Sequence, residues 1–293
     1  MPFYQNNGVR LHYISRCVPS QTVRESIVFQ HGIGGDVRQP ARFLMLERTG
    51  IRAEALNIFH ADFRGHGQSE LGPVDNLSIA TLSGDLVAFL DHLGLHHAIV
   101  GGISLGAAVA LRLAVEHPHR CRALIISRPA WTAGPVSTEA QRAYTLVADL
   151  LAANDWQSTA SDALEQSEVL QSLDALCPDA AKSLRGQLRS ALDSPEMRER
   201  AIARLRQLPF STGLVDGVAS LSLVSCPTLI LAAEGDPFHP LDYACCLAKA
   251  LPNCRLEQIA PKSVIDDRPH LEEVDEKIGR FLQSQLDLPK DAL

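Results

Sequence analysis

Short apolar runs alternate with amphipathic segments along most of the 293-residue chain. Each run is bounded by turn residues and has the length of a buried strand, while residues 79–94 and 107–117 carry the spacing of helices. Strands that alternate with helices predict a mostly parallel, doubly wound α/β sheet. Residues 3–15 predict a β-hairpin that turns at residues 6–8. The predicted buried strands lie at residues 26–31, 56–63, 98–103, 123–130, 228–235 and 255–260.

This alternation stops over residues 134–217, which predict several helices in succession. Residues 135–185 contain no glycine and are rich in Ala, Leu, Gln, Ser and Arg. A helical block between two strands of an α/β sheet can cover the strand ends, where such sheets bind ligands. We therefore expect an α/β core of residues 1–133 and 218–293, with an inserted helical cap of residues 134–217. Ordinary peripheral helices are the alternative.

Composition and charge limit the classes of molecule that we expect the protein to bind. The formal net charge is −7 and the sequence pI is about 5.9, whereas nucleic acids and anionic membranes require a basic patch. The seven cysteines form no C-x-x-C pair, which indicates reduced thiols. No apolar run approaches about 18 residues, and the first residues lack a secretory pattern. We expect a soluble, cytoplasmic protein that acts on a small molecule, with a homodimer left open.

The strongest chemical motif is Gly-Ile-Ser-Leu-Gly at residues 102–106, between a predicted strand and a predicted helix. At a G-x-S-x-G turn from strand to helix, the serine takes a strained backbone conformation that exposes its hydroxyl. The glycines let strand and helix approach each other, and the helix N-terminus favours developing negative charge. The motif predicts a nucleophilic Ser104. A glycine-rich turn with a bystander serine is the alternative.

With this motif in place, the chain resembles the α/β-hydrolase fold family of serine esterases and lipases from residue 26 to residue 282. Three further stretches carry the resemblance, at residues 31–35 (His-Gly-Ile-Gly-Gly), 62–70 and 229–240. They are similar to the family's oxyanion-hole loop, to the loop before the helix that precedes the serine strand, and to the strand that ends in the triad acid. The resemblance implies a mostly parallel, doubly wound sheet with an inserted helical cap.

The same resemblance implies two further parts of a hydrolase site. The backbone N–H groups of Ile33 and Leu105 would form an oxyanion hole, in which each donor is worth about 3 kcal/mol to the transition state. Asp236, after the fifth predicted strand, would be the acid that orients the base, and a turn-capping aspartate is the alternative. No carboxylate occurs between Glu116 and Glu139, which closes the family's second position for the acid.

The base is the least regular part of the resemblance. The family places a histidine a few residues after the last strand, but residues 260–264 read Ala-Pro-Lys-Ser-Val. We therefore predict His270 as the base. Because Pro269 suits the first turn of a helix, His270 would lie at the head of the last helix, where the helix N-terminus disfavours the imidazolium. The alternatives are His239, His66, or no base at all.

Together these residues predict a serine hydrolase that cleaves a small carboxylic ester, lactone or thioester. Ser104 would form an acyl-enzyme with His270 as general base, and water would release the acid. No cofactor is implied, and no metal site is expected at the three histidines of residues 92–97. Trp131 is the predicted pocket wall, and His31 is expected to be structural. The alternatives are a lyase, an acyltransferase, a C–C hydrolase, or a relative that binds a ligand without turnover.

Overall fold

One eight-stranded sheet forms the centre of the computed structural model, which describes residues 2–17, 25–46, 49, 51, 55–214, 216–261 and 267–285. The strands are β1 (Phe3–Asn6), β2 (Val9–Arg16), β3 (Glu25–Gln30), β4 (Leu56–Ala61), β5 (Ala98–Ile103), β6 (Cys121–Ser127), β7 (Thr228–Ala232) and β8 (Cys254–Gln258). Their order in the sheet is β1-β2-β4-β3-β5-β6-β7-β8. The pairs β1–β2 and β2–β4 are antiparallel and all other neighbours are parallel. The predicted mostly parallel α/β sheet is confirmed.

Ten α-helices surround this sheet in the described part of the chain. They are α1 (Arg38–Phe43), α2 (Ile79–His92), α3 (Leu105–Glu116), α4 (Thr138–Ala152), α5 (Trp156–Glu165), α6 (Glu168–Leu176), α7 (Pro178–Ala191), α8 (Pro195–Gln207), α9 (Leu241–Ala250) and α10 (Asp267–Gln285). Helices α4 to α8 follow one another between β6 and β7, in the segment where the sequence predicts a cap. Among the described helices, none has an apolar stretch long enough to cross a membrane.

Serine residues start four of these helices. Each serine precedes the first helical residue, and its hydroxyl accepts a hydrogen bond from the backbone N–H three residues later, as Ser78 does from Thr81 at 3.1 Å. Such a cap satisfies one of the N–H groups left without a partner at a helix start and stabilises a helix by about 1 kcal/mol. The capping serines are Ser78, Ser137, Ser167 and Ser194. Three of the four start helices of the segment between β6 and β7.

The predicted hairpin at the start of the chain is present. β1 and β2 pair with Asn6 opposite Val9, so two residues form the turn. Those two residues, Asn7 and Gly8, have φ values of 49° and 77°. A two-residue turn with positive φ at both positions matches the right-handed twist of the flanking strands, and Asn-Gly is the sequence that adopts it most readily.

The strands end earlier than their apolar runs suggest. The run at residues 123–130 pairs only as far as Ser127, and the run at 228–235 only as far as Ala232. Residues just beyond, such as Ala130 and Ala233, are still buried. An apolar run therefore indicates burial under the surrounding helices as well as strand pairing. At the carboxyl ends of these strands the run continues into the loops of the site.

Both faces of the sheet are buried, as expected for parallel strands covered by helices. Successive residues of a strand point to opposite faces, so Ile99 and Val100 of β5 join two different hydrophobic clusters. The cluster of Val100 includes Phe89 of α2 and residues of α3. The cluster of Ile99 includes Phe43 of α1 and Ile278 of α10. This arrangement fixes α3 on one face and α10 on the other.

His60 of β4 is buried in the sheet in its neutral form. Its Nδ1–H donates a hydrogen bond to the backbone O of Phe29, at 2.7 Å. Burial lowers the pKa of His60 from 6.5 to about 4, although the bond to Phe29 acts in the opposite direction. In the unfolded chain the same imidazole has a pKa of about 6.5. Between pH 6.5 and 4 the unfolded chain therefore binds a proton that the folded chain does not.

We predict that the free energy of unfolding decreases as the pH is lowered from about 6.5 to 4, because the unfolded state binds more protons in this range. The contribution of His60 to this decrease is about 3 kcal/mol. His31 and His66, whose pKa values burial also lowers, add to it. Urea unfolding at pH 7 and at pH 4.5 measures the change.

The matched variant is His60→Asn, which keeps a donor for the carbonyl of Phe29 but does not titrate. Its stability should depend less on pH than that of the unmodified protein. An equal pH dependence of the two proteins would contradict the assignment of His60 as a buried neutral imidazole.

Candidate active site

Ser104 lies at a sharp turn between β5 and α3. Its φ of 55° and ψ of −106° place a non-glycine residue in a sparsely populated region of backbone conformation. The Ser104 N–H donates to the backbone O of Ser127 in β6 at 2.9 Å, and its own carbonyl accepts from Ala108 N at 3.1 Å. The turn is thus tied to the neighbouring strand on one side and to the helix on the other. This is the geometry that the G-x-S-x-G motif predicts.

The two glycines of the motif are required by close packing. A Cβ on Gly102 would lie 2.5 Å from the carbonyl carbon of Gly106, so strand and helix meet at this point. A Cβ on Gly106 would lie 2.6 Å from the backbone O of Gln30 in β3. Both contacts are to backbone atoms, which cannot rotate out of the way. The sharp turn of the nucleophile therefore depends on the absence of side chains at these two positions.

A histidine and an aspartate complete a hydrogen-bonded line to Ser104. The Nε2 of His239 lies 2.9 Å from Oγ of Ser104, and the Nδ1 of His239 lies 2.7 Å from Oδ2 of Asp236. A carboxylate only accepts hydrogen bonds, so Nδ1 carries the proton and Nε2 is left to accept one. This order of acid, imidazole and serine is that of a catalytic triad.

A tight turn after β7 brings acid and imidazole together. The Oδ1 of Asp236 accepts a hydrogen bond from Phe238 N at 2.9 Å, and the carbonyl of Asp236 accepts one from His239 N at 3.2 Å. Gly235, before the aspartate, has a φ of 74° that suits the start of this turn. Because the turn folds the chain back on itself, His239 reaches the carboxylate although it is only three residues away.

The prediction that His270 lies between Asp236 and Ser104 is wrong, because His239 occupies that place. His270 is in the first turn of α10, as expected, but its side chain is buried. Its Nδ1–H donates to the backbone O of Ala260 at 3.0 Å, and its ring meets that of Phe43 edge-on at 6.2 Å. Helix α10 packs the His270 ring into the core against Phe43.

The remaining histidine candidates have structural partners. His66 is buried, and its Nδ1–H donates to the backbone O of Arg64 at 2.9 Å. His31 donates from Nδ1 to the carbonyl of Gly32 at 2.8 Å, and its Nε2 accepts from Phe63 N at 3.0 Å. The expected structural role of His31 agrees with these bonds, since both of its ring nitrogens are used within the fold.

Sequence reasoning missed Arg128, which follows β6 directly. Its Nη2 donates to Oδ2 of Asp236 at 2.5 Å, so this carboxylate oxygen accepts from both Arg128 and His239. Burial raises the pKa of Asp236, but His239 and Arg128 outweigh it and hold this pKa well below its usual range. The only signal in the sequence was a charged residue placed immediately after a buried strand.

The imidazole of His239 is neutral near pH 7. Burial, the largest effect, lowers its pKa below the usual 6.5. The carboxylate of Asp236 raises this pKa, and the guanidinium of Arg128 lowers it. A neutral imidazole with a free Nε2 is the form that can accept the proton of the serine hydroxyl.

The loop after β3 lies beside the serine. A Cβ on Gly32 would be 3.5 Å from Cβ of Ser104, and Gly32 N donates to Oε1 of Gln39 at 2.7 Å. Ile33 follows in this loop, and its N–H donates to no other described group. Leu105 is the first residue of α3, where a backbone N–H has no partner within the helix. Ile33 and Leu105 therefore both lie beside Ser104, and their role as oxyanion donors stays a prediction.

Helix α7 contacts this same loop. Nε2 of Gln187 donates to the backbone O of Ile33 at 2.8 Å. Gly34, the next residue, has a φ of 72° and leaves no room for a Cβ against the Gln187 amide. The segment between β6 and β7 is thus bonded directly to the loop beside the nucleophile.

A cavity of about 260 Å³ opens at the serine. Ser104, Asp236 and His239 line its base, and residues of α4 and α7 close its other side. The rings of Tyr144 and Phe238, 5.2 Å apart, form an aromatic wall. The helices between β6 and β7 therefore supply part of the wall of the cavity. Among the described residues, no group of three or more His, Cys, Asp or Glu is placed to hold a metal ion.

Trp131 is not a wall of this cavity, contrary to the prediction. Its side chain is 2% exposed, and its Cβ lies 3.2 Å from the position that a Cβ on Gly213 would take. It belongs to the large hydrophobic cluster under the helices. The chain turns inward after β6, so Trp131 packs into the core while Arg128 faces the site.

Residues 25–263 match the model of a protein family described as alpha/beta hydrolase fold. This match covers most of the chain, and the chain therefore belongs to the α/β-hydrolase fold family. The mostly parallel sheet and the serine turn between β5 and α3 are features that the family resemblance implies.

Two individual proteins match this chain at 27% and 30% sequence identity. The chain is 27% identical over 224 residues to 3-oxoadipate enol-lactonase 1 of Acinetobacter baylyi, covering 72% of this chain and 71% of the relative. It is 30% identical over 161 residues to the dihydrolipoyllysine-residue acetyltransferase component of the acetoin cleaving system of Cupriavidus necator. That match covers 52% of this chain, and this chain spans only 40% of that relative.

Among solved structures, the enol-lactonase from Burkholderia xenovorans LB400 superposes with a TM-score of 0.69 at 18% identity, covering 96% of this chain and all of that one. At this identity the structural similarity supports a shared fold alone.

We predict that Gly106→Ala lowers the free energy of unfolding by about 1–3 kcal/mol, because its Cβ would press on the backbone of β3. Gly186→Ala is the matched control. Gly186 lies in the middle of α7, where an added Cβ would meet nothing within 4 Å, and alanine there should be neutral or stabilising by about 0.5–1 kcal/mol. Urea unfolding compares the two variants. Equal stability of both would contradict the close approach of α3 to β3.

Proposed function

We propose that the protein is a serine hydrolase that cleaves a small carboxylic ester, lactone or thioester through an acyl-enzyme on Ser104. One observation carries this proposal. His239 places Nε2 at 2.9 Å from the serine oxygen while its Nδ1–H is bonded to Asp236. A nucleophile, a base within hydrogen-bond distance and a third group that orients the base are the parts that acyl transfer requires.

The reaction would begin with attack of the Ser104 oxygen on the acyl carbon. The hydroxyl proton passes to Nε2 of His239, and Asp236 stabilises the imidazolium that forms. The carbonyl oxygen, now negative, is held by the N–H groups of Ile33 and Leu105. The bond to the leaving group then breaks, and the leaving group takes the proton from His239. Water, activated by the same imidazole, cleaves the acyl-enzyme and releases the acid.

The cavity supports a small substrate. Its volume of about 260 Å³ is below the usual range of about 300–1,000 Å³ for pockets that hold drug-sized ligands. We infer that the helices of residues 134–217 act as a cap, because α4 and α7 form part of the cavity wall. Such a cap limits the length of the acyl group and keeps bulk water from the acyl-enzyme.

Acyl transfer to an alcohol or thiol acceptor is a second candidate. The acetyltransferase relative favours it, because its match includes half of this chain. The first half of the reaction would be the same, and the acceptor would replace water in the second half. Product analysis in the presence of a short alcohol distinguishes the two, since a transferase yields mainly the new ester and a hydrolase mainly the free acid.

We predict that a fluorophosphonate probe labels Ser104, because this serine is paired with a base and an oxyanion hole. Ser104→Ala should abolish labelling. His239→Asn should slow it by about a hundredfold or more, since asparagine cannot take the serine proton. The rate of labelling at pH 7, followed by intact-mass spectrometry, measures each variant.

The matched control is His270→Asn. Asparagine keeps a donor for the carbonyl of Ala260, so labelling should stay close to that of the unmodified protein. Hydrolysis of an acetyl and an octanoyl aryl ester completes the test, with the acetyl ester preferred. Normal labelling of His239→Asn together with loss in His270→Asn would overturn the assignment of the base. Absence of labelling in the unmodified protein would overturn the proposed function.

A further inference from the structure

Arg128 connects the three strand ends that form the site. It follows β6 directly, and its backbone N–H donates to the carbonyl of Leu231 in β7 at 2.7 Å. The preceding residue, Ser127, accepts the hydrogen bond from Ser104 N at 2.9 Å. The side chain of Arg128 reaches Asp236 after β7. Nucleophile, arginine and acid are therefore held by consecutive hydrogen bonds at the carboxyl ends of β5, β6 and β7.

The backbone of Arg128 is in an unusual conformation. Its φ is 49°, one of four positive values among the non-glycine residues that the structure describes. A long side chain in the left-handed region is strained, and such strain persists where the surroundings fix the residue. Here the chain leaves the sheet with this φ, and the guanidinium lies at the wall of the cavity beside Asp236. Ser104 is another of the four, so two of these four unusual backbones lie at the site.

The carboxylate of Asp236 has a hydrogen-bond partner outside its own turn. Its partner His239 comes from the same short turn, so the two residues could move together without losing their mutual bond. Arg128 comes from a different strand and bonds the same oxygen, Oδ2, that accepts from His239. The ion pair is largely buried, with side-chain exposures of 15% for Arg128 and 6% for Asp236. A buried charge-assisted bond of this kind fixes the carboxylate relative to the sheet, and with it the imidazole relative to Ser104.

We propose that Arg128 is a positioning residue that holds Asp236 toward His239 and, through its charge, sets the pH range in which His239 accepts the serine proton. This inference rests on the proposed function of Ser104. Arg128 makes no bond to the serine or the imidazole itself; it acts through the acid.

The charges around His239 determine the direction of the effect. Asp236 raises the pKa of His239 and Arg128 lowers it, while burial, the largest effect, also lowers it. At the mouth of the cavity, Nζ of Lys182 lies 4.0 Å from the Asp267 carboxylate, and the side chain of Lys182 is mostly exposed, so solvent screens this pair. The other titratable groups near the acid or on the cavity wall are Tyr144, Cys177 and Asp179. Removal of Arg128 therefore leaves the charge of Asp236 uncompensated and raises the pKa of His239.

The experiment compares Arg128→Gln and Arg128→Lys with Arg142→Gln, which changes an exposed arginine of α4. The rate of fluorophosphonate labelling is measured from pH 5 to pH 9. Arg128→Gln should label at least about tenfold more slowly at pH 7, and the midpoint of its acid limb should rise by about one pH unit. Arg128→Lys keeps the charge and should keep the midpoint of the unmodified protein, with a smaller loss of rate. Arg142→Gln should match the unmodified protein.

A titration of the His239 imidazole by NMR supplies a readout that does not need activity. It is carried out on folded Arg128→Gln and on the unmodified protein, with a thermal melt of each to establish folding. A raised pKa of His239 in the variant supports the proposal, and an unchanged or lowered one overturns it. If Arg128→Gln does not fold, Arg128→Lys decides, since a shifted acid limb in that variant contradicts the role of the charge.

The outcomes separate this inference from the proposed function. If the unmodified protein is labelled and Arg128→Gln has the same rate and pH dependence, the serine hydrolase proposal holds and the role of Arg128 is contradicted. If the unmodified protein is not labelled, the hydrolase proposal is contradicted. The NMR titration then still decides whether Arg128 controls the pKa of the His239 imidazole.

Discussion

One carboxylate oxygen, Oδ2 of Asp236, accepts hydrogen bonds from both His239 and Arg128, and the geometry of the site depends on it. The bond to His239 fixes the proton on Nδ1 and leaves Nε2 facing the serine. The bond to Arg128 fixes the carboxylate against a neighbouring strand. Acid and imidazole share one short turn, and Arg128 at the end of β6 bonds the carboxylate from outside that turn.

The same strand ends explain why the serine lies where it does. Gly102 and Gly106 let α3 approach β3 and β5 so closely that no side chain fits, and the resulting sharp turn lifts Ser104 to the sheet edge. Opposite it, the loop at Ile33 is bonded to Gln187 of α7. The core thus positions Ser104, while the helices between β6 and β7 form part of the cavity wall and contact the loop at Ile33.

Parts of the fold and site that depend on short local patterns were predictable from the sequence. The Gly-x-Ser-x-Gly turn and the acid after an apolar strand each follow from a few consecutive residues, and the Asn7-Gly8 hairpin does so as well. The base does not follow from such a pattern, because His239 is only three residues from Asp236, a short separation for a straight line from acid to serine. The turn closed by the carboxylate itself makes that line possible.

The sequence did not predict where His270, Trp131 and Arg128 lie, because the position of each depends on tertiary contacts. The helical spacing of His270 correctly indicated burial, but the carbonyl of Ala260 and the ring of Phe43 decide into which part of the core it packs. Trp131 and Arg128 are three residues apart in an irregular segment, and the left-handed φ of Arg128 decides which of them reaches the site. No pattern of residue types records that φ.

A crystal structure of the protein labelled with a fluorophosphonate would show which histidine serves Ser104. We expect phosphorus bound to the Ser104 oxygen, with a phosphoryl oxygen within about 3 Å of the backbone N atoms of Ile33 and Leu105. We also expect Nε2 of His239 within hydrogen-bond distance of an oxygen on the adduct, with Nδ1 still on Asp236. An adduct on Ser104 approached by His270, with His239 turned away from it, would show that His239 is not the base.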